Sequence, residues 1–201
     1  MRLDHIAVSA EVLAEGVNWA EAALGVGLAG GGVHAVMGTH NRLLGLGDCY
    51  LEVIAIDPAP PPPGRARWFD LDRFSGPPRL TNWICRTADL AAAIDLAPDG
   101  MGDLLALSRG DFRWRMAVPP TGVLPFDGMF PALIEWQGLA HPARALPDVG
   151  CRLRWLEVAH PDAARLRAAL PGLADPRVRI VAGPVGLRAE VETPHGLRVL
   201  Q

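Results

Sequence analysis

The residues with the clearest chemical promise are His5, in the run L-D-H-I-A-V at 3–8, and Glu52, in Y-L-E-V at 50–53. Each interrupts an apolar stretch. Successive side chains on a strand point to opposite faces, so His5 lies opposite Ile6 and Val8, and Glu52 opposite Leu51 and Val53. Neutral imidazole with carboxylate suits Zn, Mn, Fe or Ni, and two such donors leave coordination positions open for a substrate. The alternative is that His5 hydrogen-bonds within a sheet and Glu52 faces solvent. Arg113 and Arg115 share one face of F-R-W-R-M, opposite Phe112, Trp114 and Met116. Facing a cavity, that pair would bind an acidic substrate; facing outward, it is simply solvated.

Other chemistries lack their residues. All 19 basic residues are arginine, which removes Schiff-base catalysis and a lysine general base. The serines Ser9, Ser75 and Ser108 sit in no nucleophile elbow. Cys49, Cys85 and Cys151 lack C-x-x-C spacing and read as reduced thiols of a cytoplasmic protein. The string Gly25-Val26-Gly27-Leu28-Ala29-Gly30 fits G-x-G-x-x-G literally. It follows a helical stretch and leads into a strand, the reverse of a dinucleotide fingerprint, so no nucleotide cofactor is expected. A formal charge of -3 with no basic stripe argues against a nucleic-acid partner. The uncharged stretch 22–41 carries a run of glycines together with His34 and Asn41, which argues against a membrane span, and Asp4 and Glu11 interrupt any secretory signal. Half of the 201 residues are apolar and 20% are charged, enough to build a sizeable core.

The elements that must position these side chains recur along the chain. Alternation over 3–10 predicts a strand, and apolar residues at Val12, Leu13, Val17, Ala20 and Leu24 approach helical spacing, with Gly25 as the stop. Short strands are expected at 33–37, 42–46 and 50–56, separated by glycines. D-P-A-P-P-P-P-G at 57–64 cannot continue a strand because proline lacks the donor. A first βαβββ unit therefore spans 1–57, and a proline-rich linker spans 58–79. The same order returns over 80–139, with strands at 80–86, 103–108, 112–118 and 131–136 and a helix opening at Asp89. After a proline-bearing joint at 140–150, a third, divergent unit spans 151–201, with strands at 153–159, 178–182, 187–192 and 197–200 and a helix at 162–170. One unit exposes a curved sheet face that a second can close over a cavity, leaving the helices outside. The expected fold is α+β, with repeated βαβββ units forming a curved sheet cup in one compact domain. The sequence leaves open which two units pair.

L-D-H-I-A-V at 3–8, G-G-x-H at 31–34, G-T-H-N at 38–41 and Y-L-E-V at 50–53 resemble the first unit of the glyoxalase-like domain family, in the vicinal oxygen chelate superfamily. L-P-F-D-G-M-F-P-A-L-I-E-W-Q at 124–137, followed by H-P-A at 141–143, is similar to that family's second unit. The resemblance implies a divalent metal held inside the cup by side chains from the first and fourth strands of a unit, which carries over to His5 and Glu52. In the second unit Asn82 stands where His5 would and Glu135 resembles Glu52, making Asn82 a ligand-binding candidate and Glu135 a catalytic one. His34, Thr39 and Asn41 also match family positions, although Ala35-Val36 replaces the usual Pro-Gly after the histidine. His34 is then a ligand or general base near the cup rim, or a turn histidine bonding local backbone. Asn41, like Thr39 a candidate for ligand binding, either bonds the ligand or caps a strand end.

The implied function is a metal-dependent enzyme of lyase, isomerase or dioxygenase type, acting on a small oxygen-bearing metabolite by stabilising an enolate-like anion. The alternative is a metal-free protein of the same fold that binds or sequesters an apolar or aromatic small molecule. Either version is expected to be soluble and cytoplasmic, with a small-molecule ligand and a homodimer as its candidate assembly.

Overall fold

The computed structural model describes residues 1–201. β1 (Arg2–Ser9) leads through α1 (Leu13–Leu24) to β2 (Ala29–His34), β3 (Thr39–Gly45) and β4 (Tyr50–Ile56). A 3₁₀ segment (Trp68–Arg73) then precedes β5 (Arg79–Arg86), α2 (Leu90–Asp95), β6 (Asp103–Arg109), β7 (Phe112–Val118) and β8 (Ala132–Trp136). The short α3 (Pro142–Ala145) connects to β9 (Arg152–His160), α4 (Ala163–Ala168), β10 (Val178–Ala182), β11 (Gly186–Thr193) and β12 (Gly196–Leu200). Local chemistry sets the helix ends: Gly25 takes a φ of 74° to stop α1, and the Asp89 carboxylate accepts from the Ala92 N–H to open α2.

The first two units merge into one curled, eight-stranded sheet of order β2-β3-β4-β1-β5-β8-β7-β6. Their junction is the antiparallel pair β1/β5, and within each unit the first strand runs parallel to the last, β1 beside β4 and β5 beside β8. The cup therefore belongs to units one and two. α1 packs on β4 from outside, and β1 and β4 are buried along almost their whole length. No helix is long and apolar enough to cross a membrane.

The third segment departs from the expected repeat. Its elements follow the order βαβββ, but it forms a separate four-stranded sheet, β10-β9-β11-β12, in which β9 runs parallel to β10 and antiparallel to β11. Hydrophobic periodicity marks which residues are strand and does not choose their partners. Here the short α4 crossover returns β10 directly beside β9.

The strand expected at 33–37 also needs correction, because β2 occupies Ala29–His34 and the next four residues turn. The glycines at 30–32 read as a turn yet form an edge strand. A Cβ on Gly31 would fall 2.0 Å from the Asn41 carbonyl oxygen, so only glycine lets β2 approach β3 this closely. Part of the expected linker is core: Trp68, Phe69 and Leu71 are buried. Phe69 and Asp70 there have φ of 60° and 56°, a left-handed conformation costing about 1–3 kcal/mol per residue.

Gly30 and Gly31 make a matched pair for testing the β2/β3 approach. Gly31→Ala should lower unfolding free energy by about 1–3 kcal/mol through forced separation of backbone from backbone. Gly30→Ala meets nothing within 4 Å and should change it by less than about 0.5 kcal/mol. Urea melts of both variants measure the difference; equal effects would disprove the close approach.

Candidate active site in the cup

The site begins with an irregularity in β1. Its register with β5 shifts between Leu3 and His5, leaving Asp4 without a cross-strand partner. Such a bulge re-aims side chains, so that neighbours on a strand can serve one network. Asp4 is wholly buried and accepts from His5 Nδ1 at 2.7 Å, Trp136 Nε1 at 3.0 Å and His141 Nε2 at 2.9 Å, with the Arg86 guanidinium at 3.7 Å. The bond to Asp4 fixes the His5 ring, whose Nε2 faces Glu52 Oε2 at 3.5 Å. Tyr50 stacks on that ring at a centroid distance of 4.4 Å.

From Glu52 the network runs across β3 to the far edge of the sheet. Asn41 Nδ2 donates to Glu52 Oε1 at 2.5 Å, while Asn41 Oδ1 accepts from the Gly32 N–H at 2.9 Å and from Arg109 Nη1 at 3.0 Å. Arg109 Nη1 also reaches His34 Nε2 at 3.1 Å, and His34 Nδ1 lies 3.1 Å from Thr39 Oγ1. A guanidinium can only donate. His34 Nε2 must then carry the lone pair and Nδ1 the hydrogen, which it donates to Thr39. Arg109 ends β6, at the opposite edge of the sheet from β2, so this one side chain spans the two edges. It fits because residue 32 is glycine: a Cβ there would lie 2.8 Å from Arg109 Cδ.

Trp68, Trp114, Trp136, Met116 and Ile134 complete an apolar wall. The enclosed space is about 30 Å³, room for about two water molecules. Trp68, 4% exposed, has an indole N–H with no acceptor.

His5, Glu52, His34 and Asn41 thus line one cup, with Thr39 behind His34. The other expected positions lie elsewhere. On β7 it is Trp114 and Met116 that face the cup, while Arg113 bonds the Gly110 and Phe112 carbonyls and Arg115 pairs with Glu135 at 2.7 Å. Glu135 alternates with the cup-facing Ile134 and Trp136, so it points outward, where it accepts from the Leu90 N–H at the start of α2. It holds a helix end and an arginine. Asn82 pairs with Ala7 and lines a neighbouring cavity, while Ile84 stands opposite His5. Sequence reasoning missed Asp4, whose role needs the bulge, and Arg109, whose role needs the curl of the sheet. A carboxylate inside the apolar run at 3–8 was the available signal for Asp4.

The donor set does not fit the divalent metal that the resemblance implies. His5 and Glu52 are two donors, the second unit presents Ile84 and Ile134, and the lone pair of His34 faces a guanidinium. No group of three or more His, Cys, Asp or Glu side chains is arranged to hold a metal ion, whereas sites of this ligand type ordinarily use three or four protein donors.

Burial and charge set the protonation states. Burial alone would depress His5, but its bonds to Asp4 and Glu52 outweigh that and raise it to about 9. Burial likewise opposes ionisation of Glu52, yet His5 and Asn41 bring it down to about 2. Asp4 is held well below the usual carboxylate range by His141 and His5 despite its burial. For His34, burial reinforced by Arg109 lowers the pKa to about 4, against an opposing pull from Glu52.

At neutral pH His5 is therefore an imidazolium and His34 a neutral base. His5 binds its proton more tightly folded than unfolded, so its stabilisation is complete below pH 6.5 and is lost as pH rises to about 9. His34 has the opposite sign: its contribution is complete above pH 6.5 and is lost as pH falls toward about 4. Thermal melts across this range should decline on both sides, with His5→Gln flattening the alkaline limb and His34→Gln the acid limb. An unchanged alkaline limb in His5→Gln would show that His5 is not charge-coupled to Asp4 and Glu52.

A crystal structure of a hypothetical protein from Staphylococcus aureus has the same fold, with a TM-score of 0.62 and 14% identity over 92% of this chain and 87% of that one. Weaker similarity extends to methylmalonyl-CoA epimerases. A Streptomyces coelicolor variant in complex with 2-nitronate-propionyl-CoA has 19% identity and a TM-score of 0.46 over 70% of this chain and 99% of that one. The Mycobacterium tuberculosis enzyme has 20% identity and a TM-score of 0.44 over 69% and 88%. No curated protein matches the sequence. The family model for the glyoxalase-like domain matches residues 3–174, which takes in the whole eight-stranded cup, β9 and α4, and the chain belongs to that family.

Proposed function

We propose that the cup is a proton-transfer site, of isomerase or lyase type, for a small anion bearing a carbonyl oxygen. In this reading His5 is the general acid, His34 the base and Arg109 the anchor for the anionic group. The observation that carries it is the placement of Arg109, a guanidinium bonded to the neutral acceptors Asn41 and His34 beside the charge-paired His5 and Glu52.

An incoming carboxylate offers the guanidinium a charged, bidentate partner in place of two neutral ones. Arg109 lines the cup, so its turning toward that carboxylate would uncover the His34 Nε2 lone pair and open room for the reacting end of the molecule. His34 then removes a proton from the carbon next to the carbonyl, the C–H electron pair moves to form a C=C bond, and the carbonyl oxygen takes the His5 Nε2 proton to give an enol. Protonated His34 then returns the proton to a neighbouring carbon while the enol oxygen gives its proton back to His5, which completes an isomerisation. Alternatively the enol electrons expel a leaving group that takes the His34 proton, the carbonyl re-forming as His5 recovers its own, which completes a lyase reaction. At neutral pH His5 carries a proton to give and His34 is free to accept one, and withdrawal of Arg109 removes one of the charges that hold His34 down. Glu52 balances the His5 charge, and the tryptophan walls limit water, which strengthens the electrostatic contacts inside. Proton transfer of this kind needs only the residues present.

The test is exchange of substrate C–H for deuterium, followed by proton NMR with chelator-treated protein and a panel of small 2-oxo, 2-hydroxy and 1,3-dicarbonyl acids. At least one acid should exchange. His5→Gln and His34→Gln should each slow it by about 100-fold or more, and Arg109→Met should mainly raise KM. Activity that appears only after a divalent metal is supplied would refute the metal-independent mechanism. Tight binding of panel members without exchange would favour the sequestering role instead.

A further inference from the structure

A second cavity, of about 420 Å³, lies beside the cup between the 3₁₀ segment, the 122–129 turn and the third sheet. It falls within the size range of small-ligand pockets, whereas the cup at about 30 Å³ admits only the reacting end of a molecule. Phe69 lines both spaces, so one aromatic ring on a left-handed turn divides them. Asn82 lines the larger cavity at 4% exposure, its amide bonded to no other side chain or backbone group. Ile84 is the cross-strand partner of His5, and Asn82 lies two residues along the same face, about 7 Å away at the rise of a strand.

We propose that this cavity is a subsite for an uncharged, mainly apolar arm of the molecule whose anionic end enters the cup, with an amide, carbonyl or hydroxyl of that arm meeting Asn82. The assignment rests on the proton-transfer reading of the cup. The charges on the cavity wall are already engaged. Arg73 pairs with Asp70 at 2.8 Å, Asp127 lies 3.2 Å from His160, and Arg79 bonds the Ser75 and Pro77 carbonyls while covering the Phe74 ring. Arg73 and Asp70 satisfy one another, Arg79 is held over Phe74 at the rim, and an apolar arm finds Leu80, Leu124, Met129 and Leu187. The third sheet thereby acquires a role, because Val185, Gly186, Leu187 and Gln201 close the cavity from its side.

Three probes separate the two spaces by calorimetric titration: pyruvate for the cup, 2-oxo-4-phenylbutanoate for cup and cavity together, and 3-phenylpropanamide for the cavity alone. Burial of the phenylalkyl arm should make the longer acid bind about 30-fold tighter than pyruvate. A side chain at Gly186 starts in open space, with nothing within 4 Å of its Cβ. Gly186 lines the cavity, so Gly186→Trp should fold normally and set an indole at the cavity wall. It should weaken the longer acid and the amide by about 10-fold or more, with pyruvate within about twofold. Asn82→Leu should weaken the amide without affecting pyruvate, and Arg109→Met should weaken both acids and spare the amide. Equal affinity of the two acids, or insensitivity of the longer one to both cavity variants, overturns the subsite. Amide binding that is sensitive to Gly186→Trp, with no acid binding at all, rejects the cup reading while keeping the cavity as a ligand site.

Discussion

A carboxylate with no exposure to water must be surrounded by donors, and at Asp4 that requirement ties the cup together. The hydrogen-bond donors come from three places, His5 on β1, Trp136 on β8 and His141 at the start of α3, and the Arg86 guanidinium on β5 adds an ion-pair partner at 3.7 Å. Removing water from an ionised carboxylate costs several kcal/mol, which these bonds must offset. The same bonds fix the His5 ring and hold a cup-wall tryptophan by its indole N–H. The bulge at Asp4 is what permits this, since regular alternation would send its side chain and that of His5 to opposite faces.

Charge balance then limits what the cup can hold. Asp4 and Glu52 bring two negative charges, the His5 imidazolium lies between them, Arg86 stands 3.7 Å from Asp4, and Arg109 adds a positive charge at the seam. Replacing His5 with a neutral residue would leave the buried Glu52 carboxylate without its paired charge and Asp4 with only the more distant Arg86 guanidinium, which is far more costly than the loss of packing. A second cation in the same space would have to displace the His5 proton or move Arg109. An anion is different, because Arg109 is bonded inside the cup only to neutral acceptors. The electrostatics therefore favour an anionic ligand at the seam.

Much of the fold is legible in the sequence because alternation and helical spacing are local. The strands 112–118 and 178–182 fall at the expected residues, and α1 ends at the expected glycine. Strand partnership is not local, which is why the third segment has the expected elements in a different pairing. β2 begins four residues before the expected strand because its glycines answer to a close backbone neighbour rather than to a turn. At the site, His5, Glu52, His34 and Asn41 share a cup because each is a polar residue on the inward face of a strand. Glu135 follows the family pattern in letters, but it lies between inward-facing Ile134 and Trp136 and is turned away. A one-residue difference in phase separates a cup carboxylate from a helix-capping one.

Arg109 shows how a residue with no local signature can close the whole arrangement. It lies next to a hairpin turn, among many arginines, and its environment exists only when the eight-stranded sheet curls until β6 faces β2. The glycine at 32, the amide of Asn41 and the lone pair of His34 are all shaped to receive it. Each hydrogen bond from a charged donor contributes about 1.5–3 kcal/mol, so the closed seam is stable without a ligand. A ligand must therefore exceed that intramolecular bonding before it can bind, and its observed affinity is the difference between the two. Selectivity follows from the same subtraction: a neutral molecule offers the guanidinium nothing better than Asn41 and His34 already do, whereas a carboxylate does.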